Sequence, residues 1–410
     1  MKEIPTVWLV NHYALLPGGS GGTRHYTLAK ELKRLGWNPV VIAASTEANT
    51  GKQRLARGEP SRRETLDGVD FLWLRAPSYR GNGAGRLVNM ACFALRLAFL
   101  PRRALPRPDV VLGSSPHPFA ALAAWLQARQ RRVPFVYEIR DLWPQSLVEL
   151  GRISPKHPLM LAFGAIERTL CRKAARIVTL LPGVKDYLVP RGVAEDRIVW
   201  IPNGVDTSLF ADVAPPPERA EFTFMYFGAH GNANGLDTLL RAMQSVEARD
   251  PSVHLRLIGD GPRKPGLEAL ARELGLARVS FEPPVAKQDI PRLAAEADAF
   301  VFILVAAPVF RKYGISANKL FDFMAAARPL VFACDAGNDP VAEVRAGVSV
   351  AAQDAPALAE AMLALAVLPL AERQAMGARG RDYVLARHDF AMLAKKLADT
   401  LAVSMAEKGR

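Results

Sequence analysis

The stretch PDVVLGSSPHPFAALAAWLQARQRRVPFVYEIRDLWP, residues 108–144, contains two short apolar runs separated by an Ala/Leu-rich segment. The runs, residues 110–112 and 135–137, are typical of buried parallel strands, and the segment between them is typical of the connecting helix. His117 follows the first run, and Glu138, Arg140 and Asp141 follow the second. Because ligands of open α/β sheets bind beyond the carboxyl ends of the strands, this pattern predicts an active site with a base, a cation and a carboxylate.

Length and composition limit the class of protein. At 410 residues, with 50% hydrophobic and 23% charged residues, the chain is long enough for two globular α/β domains. Its three cysteines are far apart in sequence, which fits a reducing cytoplasm and indicates neither a disulfide framework nor a zinc site. The apolar run at residues 5–11 leads directly into a glycine-rich loop, as a first strand does, and no segment reaches the ~20 apolar residues that span a bilayer. We therefore expect a cytoplasmic protein.

Strand-like and helix-like segments alternate along residues 1–210, where a polar, loop-like stretch lies at 45–68. The Pro-rich residues 211–219 are typical of a linker. A second alternating series occupies residues 211–380 and includes a helix over 316–326. A helical tail at 381–410 is expected to pack back on the first domain. The pattern predicts an α/β protein with two Rossmann-like, doubly wound domains facing a cleft.

The charge of the chain is concentrated in one half. Residues 1–210 hold 30 Lys and Arg against 16 Asp and Glu, whereas residues 211–410 hold 23 against 24. Such asymmetry favours an anionic partner (nucleic acid, anionic lipid or a phosphorylated substrate) over a generally Arg-rich composition. Residues 87–100 are apolar, contain Arg96, and are flanked by Arg86 and Arg102. They fit either an amphipathic helix on an anionic membrane or a core helix whose arginines reach solvent.

Four glycines lie within residues 18–22, between the first strand and the first helix. Such a loop lets backbone N–H groups, including those of Gly21 and Gly22, approach an anion, although a tight turn also explains it. Arg24, in the following helix, either reaches a ligand or is exposed. His117 lies between two prolines in SSPHP, where a histidine is either solvated or catalytic. The Arg–carboxylate pair after the second strand has a structural alternative as well.

Further motifs, taken in order and spacing, carry a family resemblance over nearly the whole chain. They are RIVWIPNGVD (197–206), FGAHG (227–231), GLDTLL (235–240), LIGDGP (257–262) and GISANKLFDFM (314–324). Together with SSPHP and EIRDLWP they resemble family-4 retaining glycosyltransferases of the GT-B fold. The resemblance is to the branch of bacterial O-antigen and capsule enzymes that includes N-acetylfucosamine transferases.

This resemblance implies a set of residues that contact a nucleotide-sugar donor. They are Gly21, Gly22, Gly228, His230, Asn234, Gly261, Val285, Gly314, Ile315, Ser316, Asn318, Lys319 and Asp322. The helix that starts near Ser316 is expected to direct its N-terminus at the diphosphate, beside the charge of Lys319. Asp322 is expected to accept hydrogen bonds from the ribose hydroxyls.

The chain departs from the family pattern at two places. Gly314 and Asp322 stand where relatives carry a pair of glutamates, so backbone amides are expected to replace one carboxylate. His230 and Asn234 stand where relatives carry Arg and Lys in the diphosphate loop, which removes two cations.

The resemblance also implies roles in the first domain. The catalytic set is His117, Asp141, Arg140 and Glu138, and the acceptor-binding set is Arg24 and His25. His117 is expected beside the donor sugar, and Arg140 is expected to compensate for the missing cations. Asp141, with Glu138 second, is expected to orient or deprotonate the acceptor hydroxyl. If the leaving phosphate oxygen removes that proton, Asp141 only positions the acceptor.

The implied function is transfer of an N-acetylated hexosamine, or its 6-deoxy form, from UDP to a polyisoprenoid-diphosphate-linked saccharide without a metal. The product is expected to serve lipopolysaccharide O-antigen, capsule or exopolysaccharide synthesis. The basic first domain is expected to bind the anionic inner face of the bacterial plasma membrane. One rival is a UDP-sugar 2-epimerase-type enzyme of the same fold. The other is a non-catalytic nucleic-acid-binding protein, which the lack of a recognition motif disfavours.

Overall fold

The computed structural model of the protein describes residues 4–17, 23–47, 51–79, 81, 83–151, 153–216 and 218–408. The chain forms two compact units. Unit 1 comprises Met1–Pro202 and Phe390–Arg410, and unit 2 comprises Asn203–Asp389. The chain therefore passes into unit 2 after Pro202 and returns to unit 1 at Phe390, rather than changing domain at residues 210 and 381.

Unit 1 contains an eight-stranded sheet with the order β3-β4-β2-β1-β5-β6-β7-β8 among the described residues. The strands are β1 (Thr6–Val10), β2 (Asn38–Ala44), β3 (Ser61–Leu66), β4 (Val69–Leu74), β5 (Val110–Ser114), β6 (Phe135–Ile139), β7 (Arg176–Thr179) and β8 (Ile198–Trp200). Only the β3–β4 pair among them is antiparallel. β1, β5 and β6 are buried along their whole length, as expected for apolar central strands of a parallel sheet.

The order of the strands reverses between β1 and β5. From β1 the chain builds outward to β2, β4 and β3, then returns to the other side of β1 at β5, where Val10 lies opposite Gly113. This is the switch point of a doubly wound sheet, beyond whose carboxyl ends ligands bind. The residues that follow β1, β5 and β6 are therefore the first place to look for a site.

Helices cover the sheet of unit 1. They are α1 (Arg24–Arg34), α2 (Ala84–Ala98), α3 (Pro118–Arg131), α4 (Gln145–Gly151), α5 (Pro158–Lys173), α6 (Lys185–Leu188) and, after unit 2, α15 (Phe390–Lys408). α15 packs against α1, and its Leu393, Leu397 and Leu401 belong to the same apolar cluster as Leu28 and Leu32.

Unit 2 contains a parallel six-stranded sheet with the order β11-β10-β9-β12-β13-β14 within the described chain. Its strands are β9 (Phe222–Phe227), β10 (Val253–Ile258), β11 (Val279–Glu282), β12 (Ala299–Ile303), β13 (Leu330–Ala333) and β14 (Gly347–Val350). Its helices are α7 (Leu236–Arg249), α8 (Lys264–Glu273), α9 (Ile290–Ala294), α10 (Pro308–Tyr313), α11 (Asn318–Ala325), α12 (Pro340–Glu343), α13 (Ala355–Ala366) and α14 (Leu370–Arg387). The strand order reverses between β9 and β12, so a second switch point lies beyond their carboxyl ends.

The Pro-rich stretch at 211–219 is part of unit 2 and does not separate the units. Phe210 and Val213 are buried in a core cluster of unit 2. Arg328 donates to the carbonyl of Ala214 at 2.8 Å, which fixes the segment further. Prolines are compatible with this path because no described residue of the segment pairs with a strand.

Several elements differ from the sequence-based expectation. β3 lies inside the stretch expected to be a loop, because its polar sequence SRRETL suits an exposed edge strand paired on one side only. α10 and β14 are short elements that the apolar pattern did not indicate. The helix expected from residue 316 begins at Asn318, because the side chain and carbonyl of Ser316 bind Asn203 instead.

Candidate active site

Glu138, at the end of β6, is the centre of a buried hydrogen-bond network in unit 1. Its carboxylate accepts from Nε of Arg24 at 3.0 Å, Nε2 of His25 at 2.9 Å and Oγ of Ser114 at 2.5 Å. Burial by itself would raise the pKa of Glu138, but Arg24, His25 and Arg140 hold it well below its usual range. Glu138 therefore remains a carboxylate whose role is to join β5, β6 and the start of α1.

Arg24 and His25 were expected to bind the acceptor, and the structure gives both of them internal partners. Arg24 is 1% exposed and also donates to the carbonyls of Pro202 at 2.5 Å and Ile201 at 3.0 Å. Burial lowers the pKa of His25, so its neutral ring donates its Nε2 proton to Glu138. Both side chains hold the site together, and their burial does not support contact with an acceptor.

His117, at the same edge, has one ring nitrogen without a protein partner among the described residues. It is the N-cap of α3, where Nδ1 accepts from the amide of Ala120 at 3.4 Å, and it is 1% exposed. Nε2 is buried without a hydrogen-bond partner. Burial, with His12 and Arg86 nearby, lowers the pKa of His117 well below its usual value, so the ring is neutral.

His12 follows β1 and was not singled out by the sequence reasoning. It is 2% exposed, and its ring lies edge-on to that of His117 with centroids 4.7 Å apart. Its Nε2 lies 2.7 Å from Oδ1 of Asn89 on α2. The signal that could have found it is the polar run Asn11–Tyr13 directly after the first buried strand, at the same sheet edge as SSPHP.

Arg140 and Asp141 are only partly buried, unlike their neighbour Glu138. The amide of Arg140 donates to Oγ of Ser115 at 2.8 Å, while its Nε has no hydrogen-bond partner among the described residues. Burial raises the pKa of Asp141, and local hydrogen bonds, including one from the Leu142 backbone, oppose that rise more than the charge of Arg140 does. Both side chains keep the capacity to meet a ligand. Gly21 and Gly22 lie outside the residues that the structure describes.

In unit 2, Lys319 on α11 reaches back to the end of β9. Its Nζ donates to the hydroxyl of Tyr226 at 2.8 Å and to Oδ1 of Asn234 at 2.6 Å, and it lies 4.4 Å from the Tyr226 ring centroid. Burial lowers the pKa of Lys319 to about 7. Lys319 therefore has only neutral partners, and no opposite charge offsets the effect of burial on its pKa.

Two loops cross beyond the ends of β9 and β10. The first contains Gly228 and His230, and the second contains Gly261. The amide of His230 donates to the carbonyl of Asp260 at 2.8 Å. A Cβ on Gly261, where φ is +156°, would lie 2.5 Å from the His230 carbonyl oxygen, so only glycine permits this approach. The ring of His230 is fully buried, and neither of its nitrogens has a hydrogen-bond partner among the described residues. Burial and Lys264 lower the pKa of His230 to about 4, with Asp260 opposing.

The start of α11 differs in detail from the expected phosphate seat. The amide of Gly314 donates to Phe310 at 2.9 Å and that of Ile315 to Oδ1 of Asn338 at 2.7 Å. These two amides, and the Ser316 hydroxyl that accepts from Asn203, are occupied within unit 2. The helix itself begins at Asn318 without a side-chain cap, so its N-terminal amides remain the part of the motif suited to an anion.

Asp322 was expected to bind ribose hydroxyls, and in the structure it is paired with Lys287. The Lys287 ammonium donates to both carboxylate oxygens, across 35 residues of sequence. Burial raises the pKa of Asp322, and Lys287 opposes that rise. Val285 lies two residues before Lys287 and is partly buried against the core. A ribose that binds Asp322 must therefore share the carboxylate with Lys287 or displace Lys287 from it.

The described residues contain no cluster of three or more His, Cys, Asp or Glu side chains that could hold a metal ion. No single described helix is long and apolar enough to cross a membrane. α13 and α14, bent by 113°, pass that test only as a pair and only by length and composition.

Comparison with known families assigns most of the chain. Residues 19–204 match the family described as "Glycosyl transferase 4-like domain", and residues 221–367 match "Glycosyl transferases group 1". The putative colanic acid biosynthesis glycosyl transferase WcaI of Escherichia coli is 24% identical over 255 residues, which is 58% of this chain and 61% of that protein. The GDP-mannose-dependent alpha-(1-6)-phosphatidylinositol monomannoside mannosyltransferase of Mycobacterium tuberculosis is 26% identical over 375 residues, 79% of this chain and 93% of that protein.

Solved structures show the same architecture. Sucrose-phosphate synthase from Thermosynechococcus elongatus has a TM-score of 0.77 at 18% identity, over 98% of this chain and 100% of that one. Anabaena HepE in complex with UDP and glucose has a TM-score of 0.67 at 16% identity, over 97% and 99%. At these identities the likeness concerns the fold. The two doubly wound units and the two family matches place this chain in the family-4 glycosyltransferases, hexosyltransferases with the GT-B fold.

Proposed function

We propose that this protein is a retaining hexosyltransferase that moves a sugar from a nucleoside-diphosphate donor to a lipid-linked saccharide. The observation that carries the proposal is Lys319. Its ammonium is held by the oxygens of Tyr226 and Asn234, and no carboxylate lies within ion-pair distance of it among the described residues. Burial without a counter-charge is what lowers its pKa to about 7. A diphosphate supplies the missing negative charge.

Two neighbours of Lys319 suit the same anion. His230 has a neutral, buried ring with both nitrogens unpartnered by the described residues, so its N–H is available to a phosphate oxygen. The uncapped start of α11 favours negative charge through its amides and dipole. This set stabilises the charge that grows on the leaving diphosphate, and we propose that it does so without a resident metal.

We propose UDP as the nucleotide and an N-acetylated hexosamine, or its 6-deoxy form, as the sugar. The fold shared with HepE, which was solved with UDP and glucose, supports a uridine donor. The similarity to an enzyme named as GDP-mannose-dependent makes GDP-mannose the second candidate.

At the edge of unit 1, His117 is proposed to contact the transferred sugar and Asp141 to orient the acceptor hydroxyl. Retention on one face of the sugar lets the leaving phosphate oxygen take the acceptor proton. Asp141 then needs only to hold the hydroxyl in line, which fits a carboxyl that burial makes harder to ionise. Arg140, whose Nε has no hydrogen-bond partner among the described residues, adds positive charge to this edge.

The proposed acceptor is a polyisoprenoid-diphosphate-linked saccharide of O-antigen, capsule or exopolysaccharide synthesis, reached at the cytoplasmic face of the plasma membrane. α2 supports membrane contact because Val88 and Leu95 on it, and Phe99 at its C-cap, are 53%, 59% and 79% exposed. Arg96 and Arg102 accompany these apolar side chains. Exposed apolar side chains among arginines are typical of a helix that lies on an anionic bilayer.

Thermal unfolding of the full chain with UDP-glucose, UDP-N-acetylglucosamine or GDP-mannose tests the donor. A ligand that binds the folded state raises the midpoint by mass action. We expect one of these donors to stabilise the wild type and Lys319→Met to remove the shift. Lys312→Met, which removes an exposed lysine from α10, is the matched control. A donor shift that persists in Lys319→Met contradicts the assignment.

Product analysis separates the rival functions. Release of free UDP or GDP with a lengthened lipid-saccharide, unaffected by EDTA, supports metal-independent transfer. An isomerised donor indicates an epimerase, and salt-sensitive DNA binding without nucleotide-sugar affinity indicates the nucleic-acid-binding alternative.

Flotation with phosphatidylglycerol-containing vesicles tests the membrane surface. Leu95→Glu with Phe99→Glu is expected to abolish binding, whereas Val367→Glu, at a 76% exposed valine of unit 2, is expected to leave it intact. Equal binding by both variants would assign membrane contact to another surface.

A further inference from the structure

The two histidines at the switch point of unit 1 have opposite hydrogen-bonding character. The side-chain amide of Asn89 donates to the Pro77 carbonyl at 2.6 Å, which orients its oxygen toward His12. His12 must therefore donate from Nε2 to that oxygen. Burial lowers the pKa of His12 to about 3, so the ring is neutral and its Nδ1 is a hydrogen-bond acceptor.

His117 has the other tautomer. Its Nδ1 accepts from the amide of Ala120, so in the neutral ring the proton is on Nε2. Neither Nδ1 of His12 nor Nε2 of His117 has a hydrogen-bond partner among the described residues, although both atoms are buried. An acceptor and a donor are therefore carried by two neighbouring rings, whose centroids lie 4.7 Å apart.

The chemistry of this pair selects its partner. A buried polar atom without a partner is costly, and both atoms are satisfied by a group that donates and accepts from one atom. A hydroxyl does so. A phosphate oxygen is only an acceptor at neutral pH, so it would be repelled by the lone pair on Nδ1 of His12. The Phe93 ring lies edge-on to that of His12, with centroids 4.7 Å apart, so an apolar side chain borders the acceptor.

We propose that His12 and His117 together bind one hydroxyl of the transferred hexose, with His12 accepting and His117 donating. His12 is then a specificity-determining residue of the donor site. This inference rests on the proposed function, because it requires that a nucleotide-sugar reach the carboxyl ends of β1 and β5.

Two substitutions of His12 distinguish the roles of its two ring nitrogens. Asn places its amide where Nδ1 lies, so His12→Asn keeps an acceptor there and loses the contact with Asn89. Gln places its amide where Nε2 lies, so His12→Gln keeps the contact with Asn89 and loses the acceptor. A purely structural role predicts the opposite ranking of the two variants. His157→Gln, at the exposed N-cap of α5, is the control for histidine replacement.

The probes are UDP-glucose, UDP-N-acetylglucosamine and GDP-mannose, each compared with its 3-deoxy, 4-deoxy and 6-deoxy analogues. Turnover of the full chain is compared between each parent sugar and its analogues. We expect the wild type and His157→Gln to lose about tenfold or more in kcat/KM with one analogue. In His12→Gln that loss should shrink about two- to tenfold, because the parent sugar is penalised and the deoxy sugar is not. His12→Asn should retain the larger part of the discrimination.

Several outcomes overturn the inference. One is equal discrimination by His12→Gln and the wild type in a folded, active protein. Another is weaker binding of UDP itself in His12→Gln, which indicates contact with phosphate. A third is a wild type that discriminates against none of the analogues. If the wild type binds and turns over none of the parent sugars, the proposed function fails and the inference fails with it, and that result is distinct from the others.

Discussion

Replacing Glu138 with glutamine should destabilise unit 1 strongly, because the change removes the counter-charge of a buried cation. Arg24 and Glu138 are each 1% exposed. Breaking such a pair on one side costs ~3–5 kcal/mol. The glutamine oxygen can still accept from Arg24, and the carbonyls of Ile201 and Pro202 remain, so the lower end of that range applies. With an m-value of about 2 kcal/mol per M, a loss of about 3 kcal/mol lowers the urea midpoint by about 1.5 M.

Tryptophan fluorescence measures this effect on unit 1 alone. All 6 tryptophans of the chain, from Trp8 to Trp200, lie before residue 203. The control is Glu59→Gln, which removes a carboxylate that pairs with Arg62 at the exposed surface and should leave the midpoint near the wild-type value.

The stabilisation by Glu138 should depend on pH. Glu138 has a pKa lowered from 4.5 in the folded state, so its stabilisation is present above pH 4.5 and is lost as pH falls through the lower folded pKa. The difference between wild type and Glu138→Gln should therefore narrow below pH 4.5. A midpoint shift under about 0.5 M at pH 7, or a difference that is constant down to pH 3, refutes the reasoning.

Three further predictions concern the site. His117→Ala should lower kcat about 10- to 100-fold with donor affinity changed only a few-fold, and wild-type kcat in steady-state assays would contradict its contact with the sugar. Since the free protein holds the pKa of Lys319 at about 7 and a phosphate requires its charged form, donor affinity should fall as pH rises above 7. Calorimetry at pH 8 in two buffers should show proton uptake on binding, absent in Lys319→Met. Gly261→Ala should weaken donor binding, because the added Cβ would lie 2.5 Å from the His230 carbonyl oxygen, and an unchanged calorimetric affinity would contradict it.

The sequence could predict which residues share an edge of the sheet. Adjacent parallel strands end at the same edge of a sheet. The polar residues that follow the two apolar runs, 110–112 and 135–137, were therefore expected at one edge. His117 and Glu138 do so in unit 1. The glycines at 228 and 261 likewise mark the crossing loops of unit 2, since few other residues adopt their backbone conformation.

The sequence could not predict which polar groups are already paired. Arg24 binds Glu138, which is 114 residues away in sequence, and Lys287 binds Asp322, which is 35 residues away. A local sequence pattern therefore indicates neither contact. A motif indicates the kind of side chain at a position, whereas the packing of distant elements decides whether its hydrogen bonds are available to a ligand. His12 was missed for the same reason, because its tautomer depends on Asn89 of α2, which is 77 residues away in sequence.

The return of the chain to unit 1 at α15 has a consequence for biosynthesis. Leu393, Leu397 and Leu401 are at most 1% exposed, and burying each such side chain contributes ~1.5–3 kcal/mol. On the ribosome, residues 203–389 emerge before these leucines do. Unit 2 therefore has all its strands available while the nascent unit 1 still lacks α15 on α1, so during translation the core of the N-terminal half is the one completed last.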